Sequence, residues 1–304
     1  MAFTNPPSQA RKCLSKQTVS DQPTQRLEPG CLHYKPNRTP FPSYYSTTEK
    51  EKNIMASATD FGVQSFCFRS IKDNAQVAAQ VREIGLNKIE VCAVHADFND
   101  VEAWKEIVKT YQDAGVSIVS IGVQTFNGDI EKERQWFECA KIAGAKYISA
   151  HFKVDTFQTA VPAVAKLCKE YGIKIAIHCH GGYMFGGSPD VIEHLISLGE
   201  GQIGLNIDTA WCMQVGARVG KPVEWAERFK DHLWGVHYKD FTFNPDGSWN
   251  DVVVGTGTLD LPAFVKKLEE VKFDGFAVIE YEGDVDNPVP ALKKCVDSMR
   301  EAIG

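Results

Sequence analysis

The sequence has little of what marks membrane, secreted or nucleic-acid-binding proteins. Its longest apolar runs are only as long as a strand, so no segment is expected to span a membrane. The nine cysteines include no CxxC pair and are scattered through apolar segments, which indicates reduced thiols rather than a disulfide framework. Lys and Arg number 33 against 39 Asp and Glu and form no basic stripe, which argues against a nucleic-acid partner. We therefore expect a cytoplasmic protein that binds neither nucleic acid nor membrane.

Sustained periodicity is missing from the first 54 residues. They carry many of the chain's 14 prolines together with Ser, Thr and Gln, a composition that cannot bury enough apolar surface to become ordered. They lack the apolar core of a secretory signal, although their early basic, Ser-containing stretch faintly resembles a transit peptide. We predict a poorly ordered N-terminal extension over residues 1–54 and one folded domain over 55–304, with Met55 close to the natural start.

What the remaining chain does have is a regular alternation of β-rich runs and helical segments. The runs are FGVQSFCF, KIEVCAVH, SIVSIGVQTF, YISAHF, IKIAIHCH, IGLNID, LWGVHYKD and FAVIEYEG. Each is followed by a segment of helical period, such as VEAWKEIVKTYQDAG. This alternation requires parallel strands joined by right-handed crossovers, and eight repeats fit a closed barrel better than an open sheet. The sequence therefore predicts an α/β fold, a (β/α)8 TIM barrel of eight strands and eight helices.

A longer segment, FTFNPDGSWNDVVVGTGTLD, follows the seventh run. Its Pro-Asp-Gly turn between β-prone flanks predicts a hairpin over the barrel mouth. The Gly-Thr-Gly of 255–257 has no following Lys and is interpreted as a flexible loop near the site rather than as a phosphate loop.

Polar residues two apart end four consecutive strands of the predicted barrel. The pairs are His178 with His180, Asn206 with Asp208, His237 with Lys239, and Glu280 with Glu282. Residues two apart share a face of a strand, and the carboxyl ends of barrel strands carry the chemistry of this fold. Because a buried polar group is costly unless it has a partner, so many at one rim indicate a shared partner. Two His, an Asp and a Glu favour a divalent cation.

Each of these residues also has an ordinary structural explanation. A strand-end histidine is more often a hydrogen-bonded residue than a ligand, Asp208 would suit the N-cap of the next helix, and Glu282 would suit a solvated surface. The metal hypothesis depends on the four positions together, not on any one of them.

Five segments of the chain, IAIHCHGG, GLNIDTAW, GVHYKDF, VGTGTLDLPAF and FDGFAVIEYEGD, carry a resemblance to a known family. Through them, residues 61–304 resemble the xylose-isomerase-like barrel family, which includes sugar isomerases and epimerases of the tagatose/psicose 3-epimerase and inosose-dehydratase type and the apurinic-site endonucleases. This resemblance implies that His178, Asp208, His237 and Glu280 are the ligands of one divalent metal ion, with Lys239 beside the site. Most family members have Glu where this chain has His178, so the ligand set carries two negative charges instead of three. This departure retains metal binding, suits Mn, Co, Zn or Fe over Mg, and removes half of a two-carboxylate proton shuttle.

The resemblance implies a sugar isomerase or epimerase that abstracts a proton next to a carbonyl through a metal-stabilised enediolate. The candidate catalytic residues are Glu280, His178, His180 and Lys239. Two alternatives remain open: a metal-dependent lyase or hydratase on a keto-sugar or keto-glycoside, and a barrel that binds metal and sugar without catalysis. The endonuclease branch is disfavoured because Trp211 and Gly235 stand where its additional zinc ligands are required.

Other positions are expected to contact a small carbohydrate substrate. They are Glu90, Gln124, His151, Trp211 and Glu282. Phe68, Phe126 and Trp211 would provide apolar walls against a sugar, although core packing is the alternative for each. Because members of this family often pair, the resemblance also implies a homodimer or homotetramer.

Overall fold

A computed structural model of the chain describes residues 60–181 and 185–304, so the extension predicted for residues 1–54 lies outside the described residues. The strands are β1 (Gly62–Gln64), β2 (Lys88–Val91), β3 (Ser117–Phe126), β4 (Tyr147–Phe152), β5 (Lys174–His178), β6 (Ile203–Asp208), β7 (Leu233–Tyr238), β8 (Asp240–Phe243), β9 (Trp249–Val252) and β10 (Phe276–Ile279). The strands β1 to β7 and β10 form a closed barrel in chain order, and all its neighbouring pairs are parallel. The predicted barrel and its eight strands are confirmed.

The α-helices surround the barrel. They are α1 (Asn74–Glu83), α2 (Val101–Asp113), α3 (Ile130–Ala143), α4 (Phe157–Tyr171), α5 (Pro189–Ser197), α6 (Thr209–Gln214), α7 (Pro222–Arg228), α8 (Leu261–Glu270) and α9 (Val289–Ile303). Among the residues that the structure describes, there is one more α-helix than expected, because the segment after β6 is divided in two. Gly216 has a φ of 109° in the connection, and Pro222 opens α7, where a missing N–H costs no helical hydrogen bond. Within the described ranges, no helix is long and apolar enough to cross a membrane.

Aspartates at the starts of the helices explain where several of them begin. Asp73, Asp100, Asp129 and Asp260 each accept a hydrogen bond from a backbone N–H of the first turn. The inner faces of the helices pack on the strands in a continuous apolar core. Phe68 and Phe126 are fully buried in this core. They therefore pack in the core, which was the alternative to a role as apolar walls against a sugar.

The hairpin predicted after the seventh barrel strand is present as β8 and β9. Their antiparallel register places Phe243 opposite Trp249 and Phe241 opposite Asp251. The Gly-Thr-Gly segment that follows differs from the expected flexible loop, because it is anchored. The Asp240 carboxylate accepts hydrogen bonds from four backbone amides of residues 255–259.

Candidate metal centre

Four polar side chains converge at the carboxyl ends of the last four barrel strands. His178 ends β5, Asp208 ends β6, His237 lies near the end of β7, and Glu280 directly follows β10. The parallel register aligns Asp208 with His237, which keeps these strand ends level. One potential ligand atom from each residue lies within 4.8 Å of the other three. His178 Nε2 is 3.5 Å from Asp208 Oδ2, and His237 Nδ1 is 2.7 Å from Glu280 Oε2.

The unpaired polar atoms of this cluster test whether a metal ion fits it. Both ring nitrogens of His178 and Oδ2 of Asp208 are buried and make no hydrogen bond. Buried polar atoms nearly always have a partner, so unpaired atoms on two adjacent side chains indicate a shared one. Two imidazoles and two carboxylates match the ligand preference of borderline divalent metals. The cluster could therefore hold a metal ion.

The electrostatics of the cluster keep one histidine neutral and one charged. Burial, with the positive charge of His237 beside it, lowers the pKa of His178 to about 3. Burial also acts to lower the pKa of His237, but the carboxylates of Glu90 and Glu280 outweigh it and raise that pKa to about 10. Burial raises the pKa of Asp208 to about 6, against the attraction of Lys239. In the metal-free protein, an imidazolium at His237 therefore balances part of the negative charge.

Lys239 is a buried ammonium beside the cluster. It forms a salt bridge with Glu282, and its Nζ lies 3.6 Å from Asp251 Oδ2 and 3.9 Å from Glu280 Oε1. Burial alone would lower its pKa, but these carboxylates and Asp208 hold the pKa well above its usual value. Burial would likewise raise the pKa of Glu280, yet Lys239 and His237 hold it below its usual value. Lys239 is therefore a fixed positive charge, and Glu280 is an ionised carboxylate.

The cluster opens into a cavity of about 290 Å³ at the barrel mouth. It is lined by Gln64, Phe66, Cys92, Ala93, Val94, Gly122, Val123, His151, His178, His180, Trp211, Glu280 and Glu282. The ring of His180 stacks on Trp211 with centroids 4.0 Å apart, and burial lowers its pKa. Burial, with His178 next to it, lowers the pKa of His151 to about 3. A larger, mostly apolar cavity of about 670 Å³ lies between α6, α7 and the hairpin, but none of the four clustered residues lines it.

Not every predicted site residue reaches the cavity. Of the predicted substrate contacts, His151, Trp211 and Glu282 line it, whereas Glu90 and Gln124 are buried and are not among its described lining residues. Glu90 instead lies behind the metal cluster, with its Oε1 3.1 Å from His237 Nε2. The roles of all these residues in binding or catalysis stay predictions.

The sequence reading missed Gln64 and Asp251. Gln64 ends β1 and lines the cavity, so the rule used for the later strands, a polar residue at a strand end, would have found it. Asp251 lies on the hairpin and approaches Lys239, and burial raises its pKa to about 6. The only sign of Asp251 in the sequence is that an acidic residue lies in the hairpin expected over the barrel mouth.

The surroundings of Gly235 explain why a further acidic ligand does not fit on β7. A Cβ atom at Gly235 would lie 2.6 Å from the Phe276 ring and 2.8 Å from Asn206 Cγ. An Asp side chain at this position would therefore displace buried neighbours. Trp211 occupies the other position at which the endonuclease branch requires an additional zinc ligand, and its ring packs against His180.

Comparison with known proteins agrees with this architecture. A family model described as xylose isomerase-like TIM barrel matches residues 78–302. A search among curated proteins finds no match.

Several solved structures are similar to the chain. The probable 3-DHS dehydratase AsbF of Bacillus anthracis is 17% identical, with 78% of this chain and 97% of that chain covered and a TM-score of 0.62. The 3-keto-D-glucoside 4-epimerase YcjR of E. coli is 14% identical, with 80% and 99% covered and a TM-score of 0.62. A xylose isomerase-like TIM barrel protein of Mycobacterium smegmatis in complex with magnesium is 14% identical, with 82% and 99% covered and a TM-score of 0.64. At these identities the likeness shows the fold alone.

Proposed function

This chain belongs to the xylose isomerase-like TIM barrel family, and on that premise we propose that it is a divalent-metal-dependent sugar isomerase or epimerase. The observation that carries the proposal is the buried cluster of four ligand-type residues, two of which, His178 and Glu280, line a cavity large enough for a small molecule. The similar E. coli protein acts on a keto-sugar derivative, as its name states, and supports the substrate class.

His178, Asp208, His237 and Glu280 would hold the ion. When bound, the ion would supply Lewis acidity toward a carbonyl and a neighbouring oxygen of the sugar. We propose that this ion is Mn, Co, Zn or Fe. Two imidazoles among the four ligands favour these metals over Mg.

Proton transfer falls to residues that line the cavity. Glu280 is ionised and reaches the cavity, so it is the candidate base for the carbon next to the carbonyl. His180 also lines the cavity and has a lowered pKa and an unpaired Nδ1, so it is a neutral imidazole and a second candidate base. The fixed positive charge of Lys239 stabilises negative charge that develops beside Glu280.

A second candidate, a lyase or dehydratase acting on a keto-sugar, is favoured by one observation. The carboxylate Glu280 lies 3.9 Å from the ammonium of Lys239, which places a base beside a fixed positive charge. Glu280 could take the proton next to the carbonyl and then give it to the leaving hydroxyl group, which departs as water, so no second carboxylate is required. The similarity to a dehydratase of Bacillus anthracis is in line with this candidate.

Proton exchange with solvent tests the proposal. Protein stripped by a chelator and reloaded with Mn²⁺, Co²⁺ or Zn²⁺ is incubated with a panel of keto-sugars in heavy water and followed by NMR. We expect deuterium next to a carbonyl only with metal present, loss of exchange in Asp208→Asn, and wild-type exchange in Asp246→Asn, a matched change in the exposed hairpin turn. Product analysis separates epimers and isomers from eliminated species. If metal-loaded protein exchanges no carbon-bound proton across the panel, the barrel binds without catalysis and the proposal fails.

A further inference from the structure

Glu90 is a buried carboxylate that the proposed chemistry does not use. It lies in β2, is fully shielded from solvent, and is not among the described residues that line the cavity. Gln64 donates a hydrogen bond from Nε2 to its Oε1, and the same Oε1 lies 3.1 Å from His237 Nε2. Its other oxygen makes no hydrogen bond. A carboxylate buried so completely needs partners that balance its charge, and beside the amide of Gln64 the group within reach that can be cationic is His237.

The imidazole of His237 lies between two carboxylates. Its Nδ1 is 2.7 Å from Oε2 of Glu280, which belongs to the four-residue cluster, whereas its Nε2 is directed to the side of Glu90. A histidine that binds a metal uses one ring nitrogen as ligand and commonly donates the N–H of the other to a carboxylate, which fixes the tautomer. The two sides of His237 therefore have different roles.

We propose that Glu90 is a positioning residue for the metal centre: it holds His237 as the tautomer that carries its proton on Nε2, so that Nδ1 is free to bind the ion. Gln64 holds Glu90 in place for this purpose. Glu90 is not itself a ligand, because it falls outside the set whose atoms lie within 4.8 Å of one another. This inference rests on the metal site of the proposed function.

Cobalt binding measures this role without any substrate. Chelator-stripped protein is titrated with Co²⁺ while the visible absorption of the bound ion is recorded, since that spectrum reports the ligand geometry. Glu90→Gln keeps the shape of the side chain and removes its charge, and we expect about 10–100-fold weaker binding with an altered spectrum. The matched control is Glu133→Gln, another buried carboxylate that accepts backbone hydrogen bonds from Asn127 and Gly128 at the start of α3. It should lower thermal stability and leave cobalt affinity and spectrum unchanged.

The outcomes separate this inference from the proposed function. Wild-type affinity and an unchanged spectrum in Glu90→Gln overturn the positioning role, whereas a wild-type protein that binds no Co²⁺ overturns the metal site as well. If Glu90→Gln does not fold, Gln64→Ala decides, because it removes the hydrogen bond that holds Glu90. We expect a smaller loss of affinity in the same direction from Gln64→Ala, and in that case an unchanged affinity refutes the inference.

Discussion

Replacing Asp240 by Asn should lower the free energy of unfolding, by an amount that follows from the hydrogen bonds that Asn cannot make. Asp240 is fully buried next to Lys239, and each of its oxygens accepts two backbone N–H groups at 2.8–3.0 Å. The donors belong to Gly255, Gly257, Thr258 and Leu259. These bonds connect the hairpin to the segment that leads into α8.

The magnitude follows from which bonds Asn can keep. Its carbonyl oxygen can retain two amides, but its NH₂ group then faces the other two N–H donors. Each buried donor left unpaired costs about 1–3 kcal/mol, so the loss lies between about 2 and 6 kcal/mol. Burial outweighs the amides and raises the pKa of Asp240, so removing the charge recovers part of this cost. We therefore expect a loss of about 2–4 kcal/mol in the free energy of unfolding.

Urea unfolding measures this loss directly. In thermal unfolding it should appear as a fall in Tm of about 4–16 °C, since a folded unit of this size loses about 2–4 °C per kcal/mol. The control is Asp246→Asn, because Asp246 lies in the exposed hairpin turn and accepts hydrogen bonds from its neighbour Ser248. If Asp240→Asn is as stable as this control, the four amides do not hold the segment and the reasoning is refuted.

Three further predictions concern charge, metal and packing. Because burial raises the pKa of Asp251 to about 6, the native state favours its protonated form, and stability should fall by up to about 3 kcal/mol as pH rises from about 4 through 6. Asp251→Asn should flatten this dependence in urea unfolding, and an unchanged pH profile would contradict the assignment. A divalent ion at a hundred times its Kd should stabilise the protein by about 2.7 kcal/mol, seen as a higher Tm that Asp208→Asn abolishes; equal shifts in both proteins would place the ion elsewhere. Gly235→Ala should cost about 1–3 kcal/mol, because its methyl group would overlap the Phe276 ring, and wild-type stability in urea would show that the barrel relaxes around it.

The barrel and its polar rim were predictable because both depend on local patterns. Alternation of strands and helices determines a parallel ring, and side-chain alternation along each strand determines which residues point to its rim. The pattern placed four polar pairs there, whereas the choice of His178, Asp208, His237 and Glu280 from those pairs came from the family resemblance.

The positions of Glu90 and Asp251 could not be predicted in this way. In the ring, β2 and β7 are separated by β1 and β10, so the contact between Glu90 and His237 crosses the barrel interior and depends on its width. The approach of Asp251 to Lys239 depends on how the hairpin folds back over the mouth, which a turn signal does not specify. Glu90 looked like a substrate contact from its strand-end position, and only its depth distinguishes it from residues that line the cavity.

The ring closes last where the final strand is inserted, since β10 pairs with β7 on one side and with β1 on the other. Glu280 arrives with that strand, after every other member of the cluster has been synthesised. A chain cleaved before residue 276 would lose the strand that joins β7 to β1 and, with it, the Glu280 carboxylate, so barrel closure and completion of the four-residue cluster depend on the same segment.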